Sequence, residues 1–329
     1  MSPIFTFLSD LTEWIFWKTS QIAVGFLPWR WLYLASEPLS WIYFVSSVRR
    51  RYQMQRVLKS HFGSSLMKYD VNKLVFESYR ELCKFQIESL LYPQLNKNNV
   101  NKIAKIRGFE HLDQALNQGN GVILLLSHFG NNEIIMPVLG YHGYKINQIA
   151  DRHPPRNLKD AARKTSVMRV RNLSLRFKRQ DTLPCKFIPA RGSPRDAVRA
   201  LQKKEILMVT GDGRIGKKYL EFPFLNARAR FLTGPIKLGI KYGAPIFPVF
   251  TLRNKNNISE IIIEKQINAD LEQCLDEETK VKHCLSNYAS MLERYVMSYP
   301  AHYAKYLWQM SLGVRRGDVP MFVGEDDTQ

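Results

Sequence analysis

Val122-Ile123-Leu124-Leu125-Leu126-Ser127-His128-Phe129-Gly130-Asn131-Asn132-Glu133 decides how the rest of the chain reads. The apolar run Val122 to Leu126 predicts a buried strand. His128 follows at the strand end, with Glu133 five residues on. One turn of chain can return that carboxylate to the imidazole. The acid would then hold the proton of one ring nitrogen and leave the other free to take a proton from an alcohol. The stretch His128 to Glu133 contains no serine or cysteine. The attacking oxygen would therefore belong to a substrate, which points to transfer onto a bound hydroxyl. Because α/β folds place their sites at strand ends, the position carries more weight than the spacing.

The chain has 329 residues, enough for one large α/β domain with an appendage or for two modest domains. Hydrophobic residues make up 45% of it, so a sizeable core can form. Lys and Arg number 48 against 29 Asp and Glu, a formal charge of +19. Such an excess implies an anionic partner. Cys83, Cys185, Cys274 and Cys284 are scattered without a CxxC pair, which predicts reduced thiols and no structural zinc.

Five of the six tryptophans, Trp14, Trp17, Trp29, Trp31 and Trp41, lie between Ile4 and Val48. Pro28, Arg30, Glu37 and Pro38 interrupt the stretch, so it holds no clean 20-residue span. A signal peptide would show a basic start, an apolar run and a small-residue cleavage site, and these are missing. Tryptophan favours the headgroup level of a bilayer, and Arg49-Arg50-Arg51 closes the stretch with positive charge. Residues 1–51 are thus expected to be a helical membrane anchor, embedded or interfacial. Residues 52–318 would form the main domain, and 319–329 a disordered tail.

Within the main domain, residues 52–92 read as helices and Phe109 to Asn117 as a short one. Further strands are expected over 145–150, 185–189, 205–210, 244–252 and 259–267, the last two joined as a hairpin near Asn254 to Asn257. Helices are expected over about 131–140, from Ser193-Pro194-Arg195-Asp196 to about 203, from Thr233-Gly234-Pro235 to about 242, and over 277–298. Tyr303 to Trp308 reads as a last strand. Strands alternating with helices predict an α/β sheet covered on both faces. Residues 156–179 carry nine Lys and Arg against Asp160 alone, a segment expected to face anions.

The loop Gly211-Asp212-Gly213-Arg214-Ile215-Gly216-Lys217 satisfies two nucleotide-binding patterns superficially. A dinucleotide loop should open into a helix and meet an acid about 20 residues on. Tyr219 to Phe224 follows instead, and no acid lies near position 231. A P-loop needs Ser or Thr after its Lys, and Lys218 stands there. A glycine-rich turn beside a substrate fits better, with Asp212, Gly213 and Arg214 as candidate binding residues. The histidines show no metal pattern.

With these blocks in this order the chain resembles the bacterial lipid A biosynthesis acyltransferases of the lauroyl and myristoyl type, a branch of the lysophospholipid acyltransferase superfamily. The resemblance rests on Ser127 to Glu133, on Asp212 with Phe222-Pro223-Phe224-Leu225 and Thr233-Gly234-Pro235, and on Gly243-Ala244-Pro245-Ile246-Phe247-Pro248. It runs from about residue 25 to 310. It implies a mixed, mostly parallel central sheet flanked by helices, like the glycerolphosphate acyltransferases. It implies transfer of a fatty acyl chain from acyl carrier protein or acyl-CoA to a hydroxyl of an anionic membrane glycolipid such as a lipid A precursor. His128 would be the general base and Glu133 its partner. Arg152 matches an arginine placed near the site, and Arg214 is a candidate donor to the oxyanion. No metal or redox cofactor is implied, because a thioester is already activated. The implied place is the cytoplasmic face of a bacterial inner membrane, with no nucleic-acid partner. Asn132 stands where an aromatic is common, Gly213 where Gln or His is usual, and Gln309-Met310-Ser311 follows Tyr306-Leu307-Trp308. These departures leave the acceptor open, so that a lysophospholipid or another lipid is the alternative. A non-enzymatic basic membrane-binding protein and a hydrolase are more distant ones.

Overall fold

The run Val122–Leu126 is strand β2, buried at every residue. In the computed structural model, which describes residues 11, 14–15, 18–22, 24–152, 167–216, 218–272, 274, 276–314 and 319–324, it lies at the centre of a seven-stranded sheet. The strand order is β1 (Ala104–Arg107), β9 (Ser259–Ile263), β8 (Ile246–Arg253), β2, β5 (Ile206–Thr210), β3 (Ile146–Ala150) and β4 (Lys186–Pro189). All neighbours pair in parallel except β8 with β9, the expected hairpin. At its turn Asn257 takes φ +60°, which asparagine tolerates better than most residues, and the Asn254 side chain accepts from the backbone N–H groups of Asn256 and Ile258.

Alternation along β2 assigns its side chains to two apolar layers. Ile123 and Leu125 join Leu207, Val209, Phe250, Leu285 and Tyr288 on one face. Val122, Leu124 and Leu126 join Met208, Val249, Ile134, Ile135 and Val138 on the other. A strand covered on both faces has no polar side, which is why it reads as a continuous apolar run. A separate antiparallel hairpin, β6 (Tyr219–Phe224) with β7 (Ala227–Leu232), packs over the first layer.

Ten α-helices have bounds among the described residues: α1 (Trp29–Ser46), α2 (Val48–Phe62), α3 (Val71–Leu91), α4 (Phe109–Asn117), α5 (Ile135–Tyr141), α6 (Val167–Gln180), α7 (Arg195–Gln202), α8 (Gly234–Lys241), α9 (Glu277–Ser298) and α10 (Ala301–Val314). The long α9 starts where expected because Asp276 caps it, accepting from Thr279 N at 2.7 Å, with Glu277 and Glu278 in the first turn.

Four expectations need correction. Tyr303 to Trp308 is helical. Its aromatic content suggested a strand, but Pro300 accepts from the N–H groups of Tyr303 and Ala304, and Tyr303, Ala304 and Leu307 bury one helical stripe. The tail is not loose over 319–324: Met321 and Phe322 are buried, Phe322 bridges Ala229, and Arg230 N donates to Met321 O. Residues 325–329 lie outside the described residues. The boundary drawn at 51/52 falls inside α2. Finally, among the described residues no helix is long and apolar enough to cross a membrane, so the anchor is not a described span. Instead α1 lies along α3. Glu37 accepts two hydrogen bonds from Arg80, and Leu32 packs with Ile87, Leu90 and Leu91. Its other side leaves Trp31, Leu34, Trp41 and Ile42 exposed.

Candidate active site

Parallel register places the site. Leu126 of β2 pairs with Thr210 of β5, so two residues beyond each strand end His128 faces Asp212. The Asp212 carboxylate takes both the backbone and the ring of that histidine. His128 N donates to Oδ2 at 2.9 Å, and Nδ1 lies 2.8 Å from Oδ1. Tyr303 OH donates to Oδ2 at 2.9 Å, and Tyr306 OH donates to the Asp212 carbonyl. The Tyr306 ring stacks flat on the imidazole, with centroids 4.2 Å apart.

Asp212 is fully buried. Burial pushes its carboxyl up, but the His128 charge, the bonds from the ring and the backbone, and the Tyr303 hydroxyl outweigh it and hold it below the ordinary carboxylate range. The buried carboxylate is therefore charged and compensated. Burial and then the Asp212 charge push the Tyr303 and Tyr306 phenols well up, so both remain neutral donors. The anchor of this constellation is α10, the segment expected to be a strand. Only as a helix does it bring Tyr303 and Tyr306 onto the same carboxylate and ring.

Glu133 does not complete the expected pair. Gly130 turns the chain at φ +62°, a conformation and a place suited to glycine: a Cβ there would stand 2.1 Å from Thr251 O. Asn131 then accepts from Glu133 N, and Glu133 enters a 3₁₀ turn aimed at α6. Its Oε1 receives Arg176 Nη2 at 2.5 Å. The carboxylate on the His128 ring is Asp212, brought close by strand register rather than by sequence proximity.

The other expected site residues also have definite places. His128, Glu133, Arg152, Gly213 and Arg214 line one cavity of about 610 Å³, while Asp212 lies beneath it. Arg152 donates to Asp181 Oδ1 at 2.6 Å and to Phe177 O at 2.9 Å, with its guanidinium over the Phe187 ring. Arg214 is not free to receive an oxyanion. Its donors go to the carbonyls of Asp212, Pro320 and Arg230, so it clamps the Gly211 turn onto β7 and the C-terminal strap. In the basic segment, residues 156–166 lie outside the described residues. Further along, Arg176, Phe177 and Gln180 of α6 line the cavity.

A second buried network supports the loop from below. Arg253 holds Glu88 through two bonds of 2.6 and 2.9 Å and Glu81 through one of 2.8 Å. Tyr33 of α1 and Asn131 of the His128 loop also donate to Glu88, at 2.7 and 2.6 Å. These residues come from four separate places in the chain, and no local pattern announces them. The Asp212 partnership did leave a trace, since two apolar runs are each followed, two residues past their ends, by a titratable residue.

The family model described as bacterial lipid A biosynthesis acyltransferase matches residues 3–309. The chain belongs to that family. The protein is accordingly an acyltransferase, and the family implies an acyl donor and a lipid acceptor. A comparison with curated proteins returned no match.

Proposed function

We propose that this acyltransferase moves a fatty acyl chain from the thioester of an acyl carrier protein or acyl-CoA to a hydroxyl of an anionic membrane glycolipid, a lipid A precursor in the first instance. The observation that carries the reading is His128. Its Nδ1 is engaged by a buried, charged Asp212, its side chain is 39% exposed, and its face is covered by Tyr306 at the wall of the cavity. With the proton held at Nδ1, Nε2 is left as the base. It takes the acceptor hydroxyl proton as the oxygen attacks the thioester carbonyl. The tetrahedral intermediate collapses with loss of the thiolate, and the imidazolium returns a proton to that sulfur. Asp212 stabilises the imidazolium meanwhile. Arg152 and Glu133 line the same cavity, and their ion pairs with Asp181 and Arg176 shape the walls against which the substrates lie.

The work takes place, on this reading, at the cytoplasmic face of a bacterial inner membrane, where both thioester donors are found. Support comes from the exposed side of α1, with Trp31, Leu34, Trp41, Ile42 and Val45, followed by Arg49-Arg50-Arg51. Such a face suits a helix lying in the headgroup layer.

The test is direct. Purified protein receives acyl carrier protein thioester and a lipid A precursor, and products are weighed by mass spectrometry. A precursor heavier by one acyl chain is expected, with at least a hundredfold loss in His128→Ala. Transfer by H128A at the wild-type rate would end the assigned role. Transfer only to a lysophospholipid would replace the acceptor, and thioester hydrolysis without acceptor would replace the reaction.

A further inference from the structure

Five cationic Arg and Lys side chains line the cavity, and four of them are committed to the protein. Arg152 is held by Asp181, Arg176 by Glu133, Arg253 by Glu81 and Glu88, and Arg214 by three carbonyls. The fifth is Lys305. It stands next to Tyr306 on α10, so a single step along the helix separates it from the ring stacked on His128. Its Nζ lies 5.2 Å from the centre of the Phe85 ring, on α3. Among the described residues it has no carboxylate, carbonyl or hydroxyl partner.

A half-buried ammonium without a protein anion is costly to keep, and lysine usually escapes by reaching water or by pairing. Here it is held over an aromatic face inside a polar cavity. The charged groups nearby are Arg176 from α6, Arg50 from α2 and Glu133 from the 3₁₀ turn. Two of the three are cations, and Glu133 is already bound to Arg176. With Lys305 itself, three positive charges stand against one negative, at a point open to the cavity.

We propose that Lys305 is the receptor for a phosphate ester carried by a substrate, and that it fixes that substrate at a set distance from His128. This deepens the acyltransferase reading and rests on it. Two sources share the chemistry: the phosphodiester of a donor's phosphopantetheine arm, or a phosphate on the acceptor glycolipid. Lysine meets either as a point charge with three donors. Lys305 is a binding and positioning residue, since it takes no part in the proton transfers.

Titration gives a readout that a merely structural lysine would not. Burial first, then the Arg176 charge, with Arg50 adding and Glu133 opposing, pushes the Lys305 ammonium down to about 8. A phosphate held by this group is held more weakly as pH rises past that value, because the charge is lost.

The experiment uses the full-length protein and two separable measurements. In the first, Lys305 is acetylated at pH 8 with acetic anhydride and quantified by mass spectrometry. Acyl-phosphopantetheine, acyl-pantetheine, the phosphorylated acceptor and its dephosphorylated form are each added in turn. Protection by phosphate-bearing compounds only is expected. This result stands even if acyl transfer to the chosen lipid fails, so the two readings can fail independently. In the second, Lys305→Met and Lys305→Arg are compared with wild type. In K305M, KM for the phosphate-bearing substrate should rise about 10- to 100-fold with kcat little changed. KM for the matching compound without phosphate should stay put. The wild-type KM should climb above pH 8, and K305R should flatten that climb. A donor-only effect names the pantetheine arm, and an acceptor-only effect names the glycolipid. Equal protection with and without phosphate, or a fall in kcat alike for all four substrates, overturns the proposal.

Discussion

Replacing Asp212 with Asn should cost more catalysis than its near-isosteric size suggests, because the hydrogen bonds dictate which way the amide sits. Oδ2 accepts from two donors, the His128 N–H and the Tyr303 hydroxyl. In the asparagine variant the carbonyl oxygen must keep that side, since an NH₂ there would face both donors. The NH₂ then occupies the Oδ1 position, opposite His128 Nδ1 at 2.8 Å. It donates to Nδ1, and the ring's own proton moves to Nε2. The base atom is blocked and the imidazolium loses its counter-charge. Reversing the tautomer and removing that charge should lower kcat by about 10²- to 10⁴-fold. The assay is steady-state transfer from an acyl carrier protein thioester, with circular dichroism melting to verify folding. Glu133→Gln is the comparison, because the Glu133 carboxylate is spent on Arg176. Its kcat should fall less than that of D212N. If E133Q proved the more damaging, or if D212N stayed within about threefold of wild type, the register argument would be refuted.

Arg253→Met should destabilise the fold by about 3–5 kcal/mol in denaturant melts, because it leaves the fully buried Glu88 without its cation. A loss below about 1 kcal/mol would mean that Glu88 finds another partner or takes up a proton. Stability should also decline in acid: Asp212, Glu81 and Glu37 all titrate below their ordinary values in the folded protein. Their contribution is complete above the unfolded carboxylate pKa of about 4 and is lost as pH falls through the lower folded values. Melting temperature recorded from pH 7 to pH 3 checks this, and a rise on acidification contradicts it. Trp31→Ser with Trp41→Ser should reduce sedimentation with anionic phospholipid vesicles by about tenfold. Melting should hardly change, because those residues are 64% and 61% exposed. Unchanged vesicle binding would remove α1 from the membrane surface.

Much of the architecture was legible because it depends on local rules. Continuous apolar runs gave β2 and β5, the Asn-rich turn gave the β8–β9 hairpin, and the long amphipathic stretch from Glu277 to Ser298 gave α9. Short elements were harder. Strand β1 has four residues, too few to establish a period, and β7 alternates small residues with Arg228 and Arg230, so it lacks the apolar run that marks β2 and β5. Aromatic content misread α10, whose state is set by what Tyr303 and Leu307 pack against.

The sequence by itself determined that His128 stands just past the end of a buried strand, and that strands and helices alternate into an α/β fold. Both follow from side-chain polarity along a short window. Only the tertiary structure decided which acid serves the imidazole. Glu133 is five residues away along the chain but is turned aside by Gly130 towards Arg176, whereas Asp212, 84 residues distant, is set opposite by the pairing of β2 with β5. Hydrogen bonds between strands fix side-chain neighbours to within an ångström or so, and proximity in sequence does not.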